Sequence, residues 1–137
     1  MDTQSHETNL AEPPFIPDWI PATGIQLRKA GVQFDAVCVD GDTGRQVADA
    51  LAKMTGGDPG PVIEEANGRR AVYFLVPAGS TWPDGVTRLT AAPNRISYVP
   101  VPALGGQTWP LSWRYRPGVD GRLVHALLLR SALHSHE

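Results

Sequence analysis

FDAVCVDGDTGRQVADALAKMTGG, residues 34–57, contains an apolar run, two acids flanking a glycine, and then a helical pattern. Val37, Cys38 and Val39 form a nearly continuous apolar stretch, which suits a strand covered on both faces. Thr43-Gly-Arg-Gln46 fits a capping box, with Thr43 as N-cap and Gln46 three residues on. Val47, Ala50, Leu51 and Met54 then recur at i, i+3, i+4, i+7, and Gly56-Gly57 closes the pattern. The stretch therefore reads as strand, tight turn and amphipathic helix. Asp40 and Asp42 lie at the turn. They either hold a metal ion or serve as turn and capping acids near a helix N-terminus, where a carboxylate gains about 0.3–1 kcal/mol. The second role is the commoner one for such a pair.

Working outward, PVIEEA (61–66) and AVYFLVP (71–77) flank Asn67-Gly68, two residues that tolerate positive φ and mark a hairpin. GVTRLT (85–90) and RISYVPVP (95–102) are two further β-rich pieces. Gly105-Gly106 separates the latter from TWPLSWRY (108–115), which predicts a second hairpin. Pro100, Pro102 and Pro110 place these late strands near an edge. A second helix is expected from Asp120, its cap, through Leu133. The sum is an α+β domain, a mainly antiparallel sheet with two helices covering one face.

Length and composition bound the rest. At 137 residues the chain fits one domain over 15–137, preceded by a polar leader at 1–14 that is expected to be disordered. FIPDWIP (15–21) is expected to pack Phe15, Trp19 and Ile20 onto the domain as an extended arm. Cys38 is the single cysteine, so intramolecular disulfides and cysteine metal clusters are excluded, and a reducing cytoplasm is the simplest location. No apolar run is long enough for a membrane span, so no membrane partner is expected. The leader holds Asp2, Glu7 and Glu12 and no base, which leaves 11 of the 14 acids against all 12 bases in the domain. That near balance lacks the basic excess usual for binding DNA mainly through phosphates.

The order of FDAVCVDGDTGRQVADAL, GPVIEEANGRRAVYFLVPAGS and ISYVPVPALGGQTWPLSW resembles the N-terminal domain of bifunctional DNA primase/polymerases, of the archaeo-eukaryotic primase group. It is most similar to short stand-alone actinomycete proteins of that type, over roughly residues 23–115. The resemblance implies a sheet-based primase core and template-directed nucleotidyl transfer with two divalent metals, magnesium or manganese, held by acids. It also implies a histidine on the hairpin strand that contacts nucleotide phosphates. Two ions are needed because charge develops on both the attacking and the leaving oxygen. Laid on this pattern, the first metal carboxylate is Cys38, the second Asp40, the histidine Ala71, and a later acid falls near Thr87. Asp42 could restore part of the first site, but neither the histidine nor the third acid.

These departures point to a primase/polymerase-like domain without catalysis and with no cofactor, acting on a nucleic acid, a nucleotide or a protein. One alternative is an active minimal polymerase using Asp40 and Asp42 with magnesium or manganese. Another is a small regulatory domain that binds a protein. Arg69-Arg70 and Arg114-Tyr-Arg116 after Trp113 form a possible single-stranded nucleic-acid surface, with Trp82, Trp109 and Trp113 as stacking faces. The competing and preferred reading of the same residues is a tryptophan-rich core rimmed by solvated arginines.

Overall fold

A computed structural model describes residues 16–66, 71–118 and 120–136. Five strands form one sheet in the order β5-β2-β4-β3-β7, and β1 and β6 form a separate two-stranded ribbon. These strands are β1 (Ile25–Lys29), β2 (Asp35–Asp40), β3 (Val62–Glu65), β4 (Ala71–Val76), β5 (Thr87–Leu89), β6 (Tyr98–Pro102) and β7 (Leu111–Tyr115). All pairings are antiparallel. The helices are α1 (Gly41–Met54) and α2 (Ala126–Ser135). The α+β class, the antiparallel sheet and the shared face of the two helices match the sequence reading. No helix among the described residues is long and apolar enough to cross a membrane.

Strand alternation sorts the core into two halves. Val37, Val62, Val72, Phe74 and Val76 point toward Val47, Ala48 and Leu51 of α1 and Leu129 and Ala132 of α2. Ala36, Ile63 and Leu75 point the other way, under Val99 and Val101 of the ribbon and Trp19 of the arm. Trp19 meets Phe34 edge-on at 4.9 Å between ring centroids. The expected arm thus docks through Trp19 and half-buried Ile20, whereas Ile16 is exposed and Phe15 lies outside the described residues. β2 is covered on both faces, as its apolar run requires. The predicted hairpin is present as the β3–β4 pair, and its Asn67-Gly68 turn lies outside the described residues.

Four details differ from the sequence reading. α1 begins at Gly41, with Asp40 at the N-cap position and no side-chain capping bond, so Thr43 is inside the first turn. Its buried stripe is Gly44, Val47, Ala48 and Leu51, and Met54 is exposed. Small residues win that face because α1 sits close to β4: a Cβ on Gly44 would lie 2.6 Å from the Val72 Cβ. β6 pairs with β1 rather than with β7. Pro100 and Pro102 lack the N–H groups that a seam with β7 would need. Finally, α2 starts at Ala126 rather than near Asp120. Residues 121–125 are not helical because the Val124 N–H donates to the Leu75 carbonyl at 2.8 Å while its side chain is fully buried. Asp120 caps a turn instead, accepting from the Arg122 N–H at 3.0 Å.

Candidate functional site

β2 is flanked by β4 and β5, which places Cys38 directly opposite both Tyr73 and Thr87, and Asp40 opposite Ala71. Directly opposed residues share a sheet face, and Cys38 and Asp40 share one by alternation. All five side chains therefore project from the ribbon side of the sheet, past the end of the ribbon's cover. Together with Val39 and Leu89 they line a cavity of about 330 Å³. A second cavity of about 310 Å³ also borders Asp40, with Thr43, Leu133 and His136 on the helix side. The buried Asp35 holds β5 in place: its Oδ2 accepts from Gly79 N–H at 3.0 Å and from Thr90 Oγ1 at 2.9 Å.

Asp40 is the one carboxylate lining the first cavity and is exposed. Asp42 lies in the first turn of α1 and is ion-paired with Arg45. Thr87 and Ala71 offer no ligand of the kind the resemblance implies, and burial pushes the Cys38 thiol up to about 11, which disfavours a metal-binding thiolate. Among the described residues no three His, Cys, Asp or Glu side chains converge to hold a metal ion. This donor set does not fit a two-ion centre, which requires several acids around both ions. Tyr73, which the sequence reading did not single out, lines the cavity and donates its OH to Glu65 Oε1 at 2.9 Å. Their shared face was legible in the alternation of the β3–β4 hairpin.

The arginine and tryptophan residues distribute differently from the predicted surface. Val62 pairs with Tyr115 and Ile63 with Trp113, so β7 carries a bulge with Arg114 as the extra residue. A regular strand would send Arg114 and Tyr115 to opposite faces. The bulge turns both toward α1, where Asp49 receives them. Arg114 Nε and Nη2 donate to Asp49 Oδ1 and Oδ2 at 3.0 and 2.7 Å, and Tyr115 OH donates to Oδ1 at 2.8 Å. Arg114 Nη1 reaches Glu64 at 3.3 Å. The Arg114 hydrogen bond holds the Asp49 carboxyl below its usual range, against some desolvation and with help from Tyr115.

Arg114 is thus spent inside the molecule. Trp113 is half-buried on the ribbon side, 6.4 Å from Trp19, and its Nε1 donates to the Pro102 carbonyl. Trp82 is buried in the helix-side core, and exposed Arg116 donates to the Leu104 carbonyl at 2.9 Å. Of the three candidate stacking rings only Trp109 is open to solvent, at 73% exposure. Arg69 and Arg70 lie outside the described residues. The predicted surface does not assemble among the described residues, because Trp113 and Arg114 face opposite sides of the sheet. Comparison with family models, with characterised proteins and with solved structures gives no match.

Proposed function

We propose that this chain is a primase/polymerase-like domain that does not transfer nucleotides and acts by binding. The observation that supports it is the convergence of Cys38, Asp40, Ala71 and Thr87 on one cavity. These positions come from three different strands, yet they are the ones to which the resemblance assigns an acid, an acid, a histidine and an acid. Unrelated sequence drift has no reason to collect them at one place. An ancestral pocket that lost its charged groups one by one does. With a single carboxylate remaining, the charge that builds on both oxygens of a phosphoryl transfer goes unneutralised.

The cavity lies at the small end of the range for ligand sites, which favours a compact ligand such as a nucleotide moiety over a long polymer. A nucleic-acid strand or a protein segment that inserts one group there is the other form of the same reading. The single, half-buried cysteine suits a cytoplasmic setting. An active polymerase using Asp40 and Asp42 is less well supported, because Asp42 is already paired with Arg45.

The test is primer extension by the full chain with primed template, deoxynucleotides and manganese, alongside melting with and without nucleotide. No extension is expected, whereas a bound nucleotide raises the melting midpoint by mass action. Extension that disappears in an Asp40→Asn variant overturns the proposal.

A further inference from the structure

Four strand edges meet no further strand among the described residues, and three of them carry a feature that discourages a newcomer. β5 has only three residues. β7 holds the bulge at Arg114. β6 carries Pro100 and Pro102, and the ribbon register shows what they do. The Ala103 N–H donates to the Gly24 carbonyl and the Ala30 N–H to the Ser97 carbonyl. Hydrogen-bonded pairs therefore fall at Gln26/Val101 and Arg28/Val99, and they alternate with Ile25/Pro102, Leu27/Pro100 and Lys29/Tyr98. Residues of this second set turn their main chain away from the ribbon's own seam. On β6 that outward edge has lost the donors of residues 100 and 102, and the outward Pro102 carbonyl already accepts from Trp113.

On β1 the same outward edge is intact. Ile25, Leu27 and Lys29 each present an N–H and a carbonyl away from β6, and no main-chain bond to another described residue occupies them. β1 has no proline, glycine or bulge, and Leu27 is 61% exposed. Its surroundings are basic. Residues 25–31 and 91–98 run together at the ladder and at the approach of Gly31 to Ala91, and they hold Arg28, Lys29 and Arg95 without one acid, whereas Arg88, opposite Val37, projects from the helix side of the sheet. The chain as a whole has a net charge of −2. Arg28 is turned back onto the Trp19 carbonyl at 2.8 Å, whereas Lys29 and Arg95 are exposed.

We propose that β1 is a docking edge for an acidic, extended segment of a partner protein, which adds to the ribbon as a third strand. Main-chain bonds to Ile25, Leu27 and Lys29 supply the pairing, an apolar side chain covers Leu27, and carboxylates meet the surrounding bases. A second copy brings the same positive charge to the seam and repels it. Single-stranded nucleic acid matches the charge but has no ladder of amide donors and acceptors for the edge.

The probe is a peptide of roughly eight residues, a typical strand length, alternating valine with glutamate. It is titrated into the full chain at low salt and followed by amide NMR and hydrogen exchange. Saturable shifts are expected along β1, with exchange slowed at the Ile25, Leu27 and Lys29 amides. Leu27→Pro deletes one outward donor and no seam bond, so it should weaken the peptide about tenfold. Lys29→Glu combined with Arg95→Glu should weaken it and flatten its salt dependence. Absent shifts, shifts elsewhere, or equal binding by a folded Leu27→Pro chain overturn the proposal. So does preference for a thymidine oligonucleotide of equal charge, or a dimer joined through β1. Should Leu27→Pro fail to fold, exchange at the Leu27 amide of the unaltered chain decides the matter alone.

Discussion

Gly44→Ala should destabilise this protein even though alanine is the better helix former. Gly44 lies in the first turn of α1, buried against β4. A Cβ there would stand 2.6 Å from Val72 Cβ, 2.7 Å from Val72 Cγ2 and 3.3 Å from the Val39 carbonyl oxygen. Relaxed carbon contacts need about 3.5–4.0 Å, so helix or strand must give by roughly 1 Å. Alanine gains about 1 kcal/mol over glycine in a helix interior. Forced overpacking costs about 1–3 kcal/mol, and Val72 Cβ cannot rotate out of the way, which puts the cost in the upper part of that range. The net loss is then about 1–2 kcal/mol. With about 2.1 cal/mol/K of unfolding entropy per residue, a chain of this length should melt about 3–7 °C lower. Calorimetry and urea titration measure it directly. Adding Val72→Ala removes the Cγ2 contact and leaves the Cβ one, so the double variant should lose somewhat less than the two single losses summed while staying less stable than Val72→Ala alone. A Gly44→Ala chain that melts at or above the parent would show that α1 does not seat on β4 this closely, and the placement of Asp40 and Asp42 would fall with it.

Because Arg114 lowers the pKa of Asp49 in the folded state, the unfolded chain takes up that proton more readily. The stabilisation is present above the unfolded value near 3.8 and is lost as pH falls through the lower folded value. Asp49→Asn should therefore be less stable than the parent near neutral pH, with the gap narrowing as pH falls below 3.8; urea midpoints that differ equally at neutral pH and well below 3.8 would exclude this linkage. Cys38, with its thiol raised from 9.0 to about 11, should react with a disulfide reagent about a hundredfold more slowly in the folded chain than in urea. Equal rates would mean that the thiol is not shielded between Thr87 and Tyr73.

What the sequence determined by itself is local. The strand-turn-helix at 34–57 and the antiparallel flanks of the first hairpin follow from periodicity and turn chemistry, which act over a few residues. The edge position of the late strands follows from Pro100, Pro102 and Pro110 for the same reason. Strand partners were a different matter. Gly105-Gly106 is as good a turn for a β6–β7 hairpin as for the loop that forms, and only the prolines' missing donors and the burial of Val99 and Val101 beneath the sheet send β6 to β1. The candidate site shows the same division. Asp40 and Asp42 are neighbours in any reading, but the meeting of Cys38, Ala71 and Thr87 depends on β2 lying between β4 and β5. Arg114 looked like an open cation because a regular strand would alternate it with Tyr115. One extra residue in β7 turns both onto Asp49, 65 residues away from Arg114 in the chain. Pairing register and bulges are settled by long-range packing between segments, which no short window of sequence contains.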